Sequence, residues 1–310
     1  MSTPTCLLHK TRLALSAALA LTASLAAHAQ PEEYLKSYSV SGHPSVQIRA
    51  AFGFVHVTTS NSAEVQFDVK YDKADWAQEL EIDSSQDGNT VALKALVDAH
   101  TGWGWPHFGS RRLDIEVRMP QNADLKIETS NGAIDVSSVD GDVSIHTTNG
   151  RVNAEHLSGT IDIGSSNGGI TLNAVHGAVK AYTSNGVIRA EGLEGKCWMA
   201  TSNGGVNVQG RFDSLDIATG NGVVVARAEP GSKISSGWNI HTSNAGVTLS
   251  VPKDLAATLD ASTSNGGIAM DLPLTVQGVI SNTRIRGTLN GGGPEVSIRT
   301  SNASIRVNSL

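Results

Sequence analysis

The sequence predicts an all-β protein that folds as a single-stranded β-solenoid, or β-helix. Three observations lead to this fold class: a repeat of 18 residues, two short alternating apolar segments in each repeat, and an unusual composition. Of 310 residues, 32 are glycine and only 5% are Phe, Trp or Tyr. The formal net charge of −6 argues against a nucleic-acid binder, because such proteins neutralise phosphates with clustered Lys and Arg.

The repeat is marked by an asparagine that usually stands in the tripeptide Ser-Asn-Gly. Six of these asparagines are spaced by 18 residues, and three more follow at intervals of 23, 21 and 37. The nine positions are Asn131, Asn149, Asn167, Asn185, Asn203, Asn221, Asn244, Asn265 and Asn302. Three and five residues after each asparagine the chain is apolar, and the residue between them is mostly polar, which predicts a half-buried strand.

A second short strand is predicted half a repeat later, after a turn. Glycine marks this turn in four consecutive repeats, at Gly141, Gly159, Gly177 and Gly195. Coils of about 18 residues with two short strands each cannot bury their apolar faces alone, so we expect them to stack into one core. Cys197 falls in an apolar column of the second strand and is expected to be a buried, unreactive core residue.

The other turn of each repeat is nearly constant, with Thr or Ser two residues before the asparagine. Counting alternate positions along the strand predicts that this Thr and the Asn both point inward. In coils stacked about 4.8 Å apart, identical amides can hydrogen-bond from one coil to the next. We therefore interpret the nine asparagines as a structural ladder, with a row of ligand-binding side chains as the less favoured alternative.

Residues 1–29 have the features of a secretory signal peptide. Lys10 and Arg12 precede an uncharged apolar run, and Ala27-His28-Ala29 supplies a small-x-small cleavage pattern. The run has 15 residues, which is short of the ~20 that span a bilayer. We therefore expect cleavage, no membrane-spanning segment afterwards, and an exported protein that is periplasmic or extracellular.

Residues 30–128 lack the strict period but still contain strand-like segments. They are expected to form irregular opening coils, or a cap, in one continuous domain with the regular repeats of residues 129–310; a separate small sandwich is the alternative. Asp87-Gly88-Asn89 predicts a hairpin turn in this region. At the other end, the last repeat, with strand residues from Ile298 to Val307, is expected to close the array.

An aromatic loop at residues 101–112 stands out in a chain this poor in aromatic residues. It contains Trp103, Trp105 and Phe108, followed by Arg111 and Arg112. The favoured interpretation is a loop that folds back and plugs the end of the solenoid. The alternative is a binding site in which the rings stack on a ligand, such as a sugar, beside an anion-binding arginine pair.

The sequence contains no pattern that predicts an enzyme. The outward column of the repeats offers no pair of carboxylates for acid–base work, and His146, His156 and His176 occupy three different repeat positions. Cys6 and Cys197 are too few for a multi-cysteine metal centre. We therefore predict no catalytic residues, no metal and no cofactor.

The motifs together resemble a known family. They are the repeated Thr-Ser-Asn-Gly with strand periodicity and an ending that runs from Arg284-Ile285-Arg286 through a Gly-Gly-Gly-Pro loop to Thr300-Ser301-Asn302. On these residues the chain resembles the bacterial putative adhesin family of the DUF4097 type, from about residue 45 to the end. Ala303 departs from the pattern, where glycine is expected. The resemblance implies a β-helical fold, a surface or envelope location and no assigned catalytic residues.

These observations predict a non-enzymatic exported β-solenoid that presents a binding surface, as an adhesin or an envelope scaffold. Its partner would be an envelope protein or a glycan. The alternative is an envelope carbohydrate-binding or carbohydrate-active protein that uses the aromatic loop at residues 101–112.

Overall fold

The structure is a computed structural model that describes residues 32–71, 80–97, 112–276 and 281–310. Within these ranges the chain forms strands and no helix, which confirms the all-β prediction. The signal peptide predicted at residues 1–29 and most of the aromatic loop lie outside the described residues.

The strands are β1 (Glu32–Ser39), β2 (Ser45–Phe52), β3 (Phe54–Ser60), β4 (Glu64–Tyr71), β5 (Leu80–Asp87), β6 (Thr90–Val97), β7 (Leu113–Pro120), β8 (Asp124–Asn131), β9 (Ile134–Ser137), β10 (Val143–Thr147), β11 (Val152–Ser165), β12 (Ile170–Thr183), β13 (Ile188–Thr201), β14 (Val206–Thr219), β15 (Val224–Ala228), β16 (Trp238–Thr242), β17 (Val247–Val251), β18 (Ala257–Thr263), β19 (Ile268–Met270), β20 (Thr275–Val276), β21 (Arg284–Leu289), β22 (Glu295–Thr300) and β23 (Ile305–Ser309).

Each regular coil contributes to two stacks of parallel strands. The second halves of β11 to β14 pair with one another and with β10 and β16, and we call this stack the front sheet. The first halves pair with one another and with β9 and β15, and we call that stack the back sheet. In β12 the bend between the halves has positive φ at Ala174 and Gly177, which lets the chain turn without leaving the ladder.

The 18-residue repeat keeps equivalent residues in register between coils. Ile170 pairs with Ile188 in the back sheet, and Val179 pairs with Cys197 in the front sheet. The inward residues of both sheets join one apolar core, in which Cys197 is buried at 3% exposure. The predicted solenoid of 18-residue coils with two short strands is therefore confirmed, and so is the burial of the cysteine.

The N-terminal strands continue both sheets. In the front sheet β2 lies between β6 and β8, and in the back sheet β3 lies between β7 and β9, all in parallel. Antiparallel pairing of β5 with β6, and of β4 with β7 and β1, adds further strands at this end. The hairpin predicted at Asp87-Gly88-Asn89 joins β5 and β6 and is confirmed. The division of the chain at residues 128 and 129 stays a prediction.

The last repeat does not close the array, so that prediction is wrong. In the front sheet β22 lies between β16 and β18, and in the back sheet β23 lies between β17 and β19. The chain reverses after the coil of β18 and β19, and β21 pairs antiparallel with the outer edge of β18. Strand β21 therefore occupies the outer edge of the front sheet. The strands of the final repeat insert between two earlier coils, one formed by β16 and β17 and the other by β18 and β19.

Candidate binding surface

The aromatic loop can be located only at its final residue. Trp103, Trp105, Phe108 and Arg111 lie outside the described residues, so their role in binding or capping stays a prediction. Arg112 is described, immediately before β7, and its Nε forms an ion pair with Asp114 on that strand.

The asparagines form a continuous chain of amide hydrogen bonds. Each Nδ2 donates to the Oδ1 of the neighbouring coil at 2.5 to 2.8 Å, from Asn149 onto Asn131 through to Asn244. Asn302 continues the chain by donating to Asn244, and Asn265 donates to Asn302, which follows the spatial order of the coils. That this ladder stabilises the fold stays a prediction.

The asparagine side chains are exposed, which contradicts the prediction that they point inward. Strand alternation places a side chain correctly only while the backbone stays extended. Thr183 is the last residue of β12, and Ser184 and Asn185 already lie in the turn. The two-residue count therefore fails between the threonine and the asparagine.

The threonine or serine two residues before each asparagine does point inward, as predicted. Thr201 is 5% exposed, and its hydroxyl donates to the carbonyl of Gly186 at 3.2 Å and accepts from the N–H of Gly204 at 3.1 Å. The hydroxyl thus ties its own turn to the turn of the preceding coil. A Cβ on Gly204 would lie 1.7 Å from the Gly186 carbonyl oxygen, so close approach of the coils requires glycine here.

An aromatic and charged cluster occupies the outward face of the front sheet. It consists of His146 on β10, Asp162 on β11, Lys180 and Tyr182 on β12 and Trp198 on β13, and we call these five residues the aromatic cluster. The ammonium of Lys180 lies 5.2 Å from the ring centroid of Tyr182 and 5.8 Å from that of Trp198. It also contacts Asp162 Oδ2 at 3.2 Å. Trp198 is 38% exposed.

The cluster could have been found by aligning the outward columns of the repeat. The sequence places Lys180 beside Trp198 and Tyr182 beside Ala200 one period later, and the structure keeps that register. The signal is that two of the few aromatic residues fall at outward positions, where the pattern leads one to expect small or polar side chains. The sequence analysis singled out the aromatic loop at residues 101–112 and did not predict the aromatic cluster.

The back sheet carries a concave region with both polar and apolar side chains in its lining. It is a groove of about 400 Å³ lined by residues that include His56, Asp135, Asn153 and Glu155. The amide of Asn153 donates to Asp135 Oδ1 at 2.7 Å, so these two side chains of neighbouring coils satisfy one another there. Among the described residues, His56 is the only aromatic ring that lines this groove.

His43 ties the first described coil to the next one. Its Nδ1 and Nε2 lie 2.7 Å from Asn122 Oδ1 and Asp124 Oδ1, respectively. The hydrogen bonds to Asp124 and Asn122 raise the pKa of His43 above its ordinary value of 6.5. The pKa of Asp124 is lowered: its partial burial opposes the shift, but hydrogen bonds from His43 and from the backbone of Asp142 outweigh it.

The described residues show neither a cluster of metal ligands nor a membrane-spanning helix. Among them, no three His, Cys, Asp or Glu side chains lie close enough to hold a metal ion. In the same ranges no helix has the length and apolar character needed to cross a bilayer. Burial, with a smaller effect of the Asp213 charge, raises the pKa of Cys197 to about 12, so its thiol stays protonated at neutral pH.

Comparison with solved structures gives matches of low identity. A putative adhesin from Parabacteroides distasonis is 9% identical, with 91% of this chain and 98% of that chain covered and a TM-score of 0.40. A putative lipid binding protein from the same organism is 14% identical, with the same coverage and a TM-score of 0.39. A putative adhesin from Bacteroides fragilis is 9% identical, with 90% and 97% covered and a TM-score of 0.33.

Comparison with curated proteins gives no match. The family model described as Toastrack DUF4097 matches residues 43–308, which is most of the chain and agrees with the resemblance seen in the sequence. The chain therefore belongs to the Toastrack DUF4097 family.

Proposed function

We propose that this protein is a non-enzymatic, exported β-solenoid that presents a binding surface, as an adhesin or an envelope scaffold. The observation that carries the proposal is the aromatic cluster on the outward face of the front sheet. Trp198 is 38% exposed there, although large aromatic rings are usually packed away from water. A ring held on a rigid sheet by a neighbouring ammonium is ready to contact a partner at little entropic cost.

The non-enzymatic part of the proposal is supported by how charges are paired on this face. Neighbouring coils place Lys180 over Asp162, so a carboxylate meets an ammonium and not a second carboxylate. Such a pair offers a hydrogen-bond donor and an acceptor to a partner, whereas hydrolysis of a glycosidic bond uses two carboxyl groups that flank the bond. Export is supported by the signal-peptide pattern at residues 1–29.

The proposal is tested with full-length protein made in a bacterium and separated into cell fractions. We expect the protein outside the cytoplasm, with its N-terminus at Gln30. We then expect the purified protein to sediment with bacterial envelope fragments, and Trp198→Ala to lose most of this binding. Arg189→Ala is the matched control, because Arg189 lies on the same strand but faces outward from the back sheet.

Two outcomes would overturn the proposal. If the wild-type protein releases reducing ends from envelope polysaccharide, it is a carbohydrate-active enzyme, and the aromatic loop at residues 101–112 becomes the place to seek its site. If Trp198→Ala sediments as fully as the wild-type protein, the front sheet is not the binding surface.

A further inference from the structure

We propose that the aromatic cluster binds a neutral glycan chain. This inference rests on the proposed function, because it names the ligand of the same binding surface. The chemistry required is a flat aromatic face for the C–H groups of a sugar ring, with hydrogen-bonding groups beside it that carry no excess positive charge. The front sheet brings both together.

The two rings lie diagonally on neighbouring coils. Trp198 pairs with Lys180, and Tyr182 is two residues further along the same strand as Lys180. With about 4.8 Å between strands and about 3.3 Å per residue, the two aromatic positions are roughly 8 Å apart. The single ammonium of Lys180 lies within 6 Å of both ring centroids, so it holds the rings as one unit.

Tyr182 is held close to the sheet because the neighbouring coil has glycine beneath it. A Cβ on Gly164 would lie 2.4 Å from Cζ of Tyr182, so the ring occupies the space that a side chain would take. The ring of His146, one coil further on, lies 6.0 Å away at an angle of 56°. Tyr182 therefore covers the sheet as a low platform and does not project into solvent.

The surface beyond the rings is low and open. In the outward column of Tyr182, the next two coils carry Ala200 and Ala218, whose side chains barely rise above the sheet. A chain-like ligand that stacks on Trp198 can therefore continue over these two alanine positions, past Asp216 beside Trp198, before it reaches His241. This shape suits an extended polymer better than a compact ligand, which would need a deep pocket.

The charge of the cluster selects against anionic ligands. Asp162 and Lys180 are paired at 3.2 Å, so the positive charge that would attract a phosphate, a carboxylate or a nucleic acid is neutralised within the protein. Both groups still offer hydrogen bonds, Asp162 Oδ2 as an acceptor and the ammonium as a donor. Hydroxyl groups can use both, because each hydroxyl donates and accepts.

The test uses the full chain on an array of defined glycans. The array carries neutral oligosaccharides of glucose, galactose, mannose and N-acetylglucosamine, with oligogalacturonate and sialylated glycans as acidic probes. We expect binding to at least one neutral oligosaccharide. For that oligosaccharide, Trp198→Ala should raise the Kd about tenfold, as the loss of one aromatic stacking partner implies.

Matched variants separate stacking from folding. Trp198→Phe should keep most of the affinity, because it retains an aromatic face, and Arg189→Ala should bind like the wild-type protein. Thermal unfolding of each variant checks that the fold is unchanged, which the surface position of Trp198 leads us to expect.

Each other outcome overturns the inference in a distinguishable way. If no neutral glycan binds, or only acidic glycans bind, the ligand class is wrong; should envelope binding still depend on Trp198, the proposed function stands without it. If a neutral glycan binds equally well to Trp198→Ala, the glycan site lies elsewhere. If neither glycans nor envelope fragments bind, both proposals fail.

Discussion

Replacing Thr201 with valine is expected to lower the free energy of unfolding by about 2–6 kcal/mol. The hydroxyl of this buried residue joins two turns, with the Gly186 carbonyl at 3.2 Å and the Gly204 N–H at 3.1 Å. Valine keeps the shape of threonine but makes neither bond. Both glycines are buried, so water does not replace the lost partner, and each unsatisfied backbone group costs roughly 1–3 kcal/mol.

Thr201→Ser is the matched control, because a serine already makes the same two hydrogen bonds elsewhere in the chain. Ser165 occupies the same column, donates to the Gly150 carbonyl at 3.2 Å and accepts from the Gly168 N–H at 2.9 Å. The serine variant should therefore lose only the contribution of one methyl group, about 0.8 kcal/mol. Urea-induced unfolding followed by circular dichroism measures all three proteins.

The exposed asparagine ladder provides the comparison. Asn185→Leu removes two amide hydrogen bonds, at 2.7 Å and 2.8 Å, but water can satisfy the amides left on Asn167 and Asn203. Each lost bond should then cost only about 0.5–1.5 kcal/mol, so the total should fall below that of Thr201→Val. If the valine and serine variants unfold alike, or if Asn185→Leu is the most destabilised, the buried hydroxyl is not the stronger connection.

Three more predictions concern single sites. Gly204→Ala should be strongly destabilised in the same unfolding assay, because its Cβ would overlap a carbonyl oxygen. Gly267→Ala should be tolerated, because no atom lies within 4 Å of the position of its Cβ. Equal stability of the two variants would contradict the close approach of neighbouring coils at Gly204. In an NMR titration, the pKa of His43 should lie above 6.5, and Asp124→Asn should lower it. Because the pKa is raised in the folded protein, the contact with Asp124 stabilises the fold below the ordinary pKa of histidine, and this stabilisation is lost as the pH rises through the folded value. Cys197, with a pKa of about 12, should resist a thiol reagent at neutral pH until the protein unfolds, and rapid labelling of the folded protein would contradict this.

The regular coils were predictable because their information is local and repeated. Apolar residues recur at the same positions every 18 residues, so the inward columns, including that of Cys197, follow from alignment alone. The asparagines were placed on the wrong side because alternation ends where the strand ends, at Thr183 in β12. A pattern within a strand therefore says little about the turn that follows it.

The position of the last repeat could not be predicted in the same way. Its strands β22 and β23 pair with the preceding repeat on one side but with an earlier repeat, β16 and β17, on the other, and this long-range pairing leaves no periodic signal. The lengthened intervals before Asn265 and Asn302 indicate that the regular order is interrupted, but they do not say between which coils the chain returns. The aromatic cluster is likewise a product of register, since it brings Tyr182 and Trp198 together from different coils.

Hydroxyl-radical footprinting of the full chain, with and without bound envelope fragments, tests most directly whether the front sheet is the binding surface. The method reports the solvent exposure of individual aromatic side chains. We predict that oxidation of Tyr182 and Trp198 falls on binding, while that of Trp103 and Trp105 in the aromatic loop is unchanged. If binding protects Trp103 and Trp105 alone, and Trp198 is oxidised as in the free protein, the front sheet is not the binding surface.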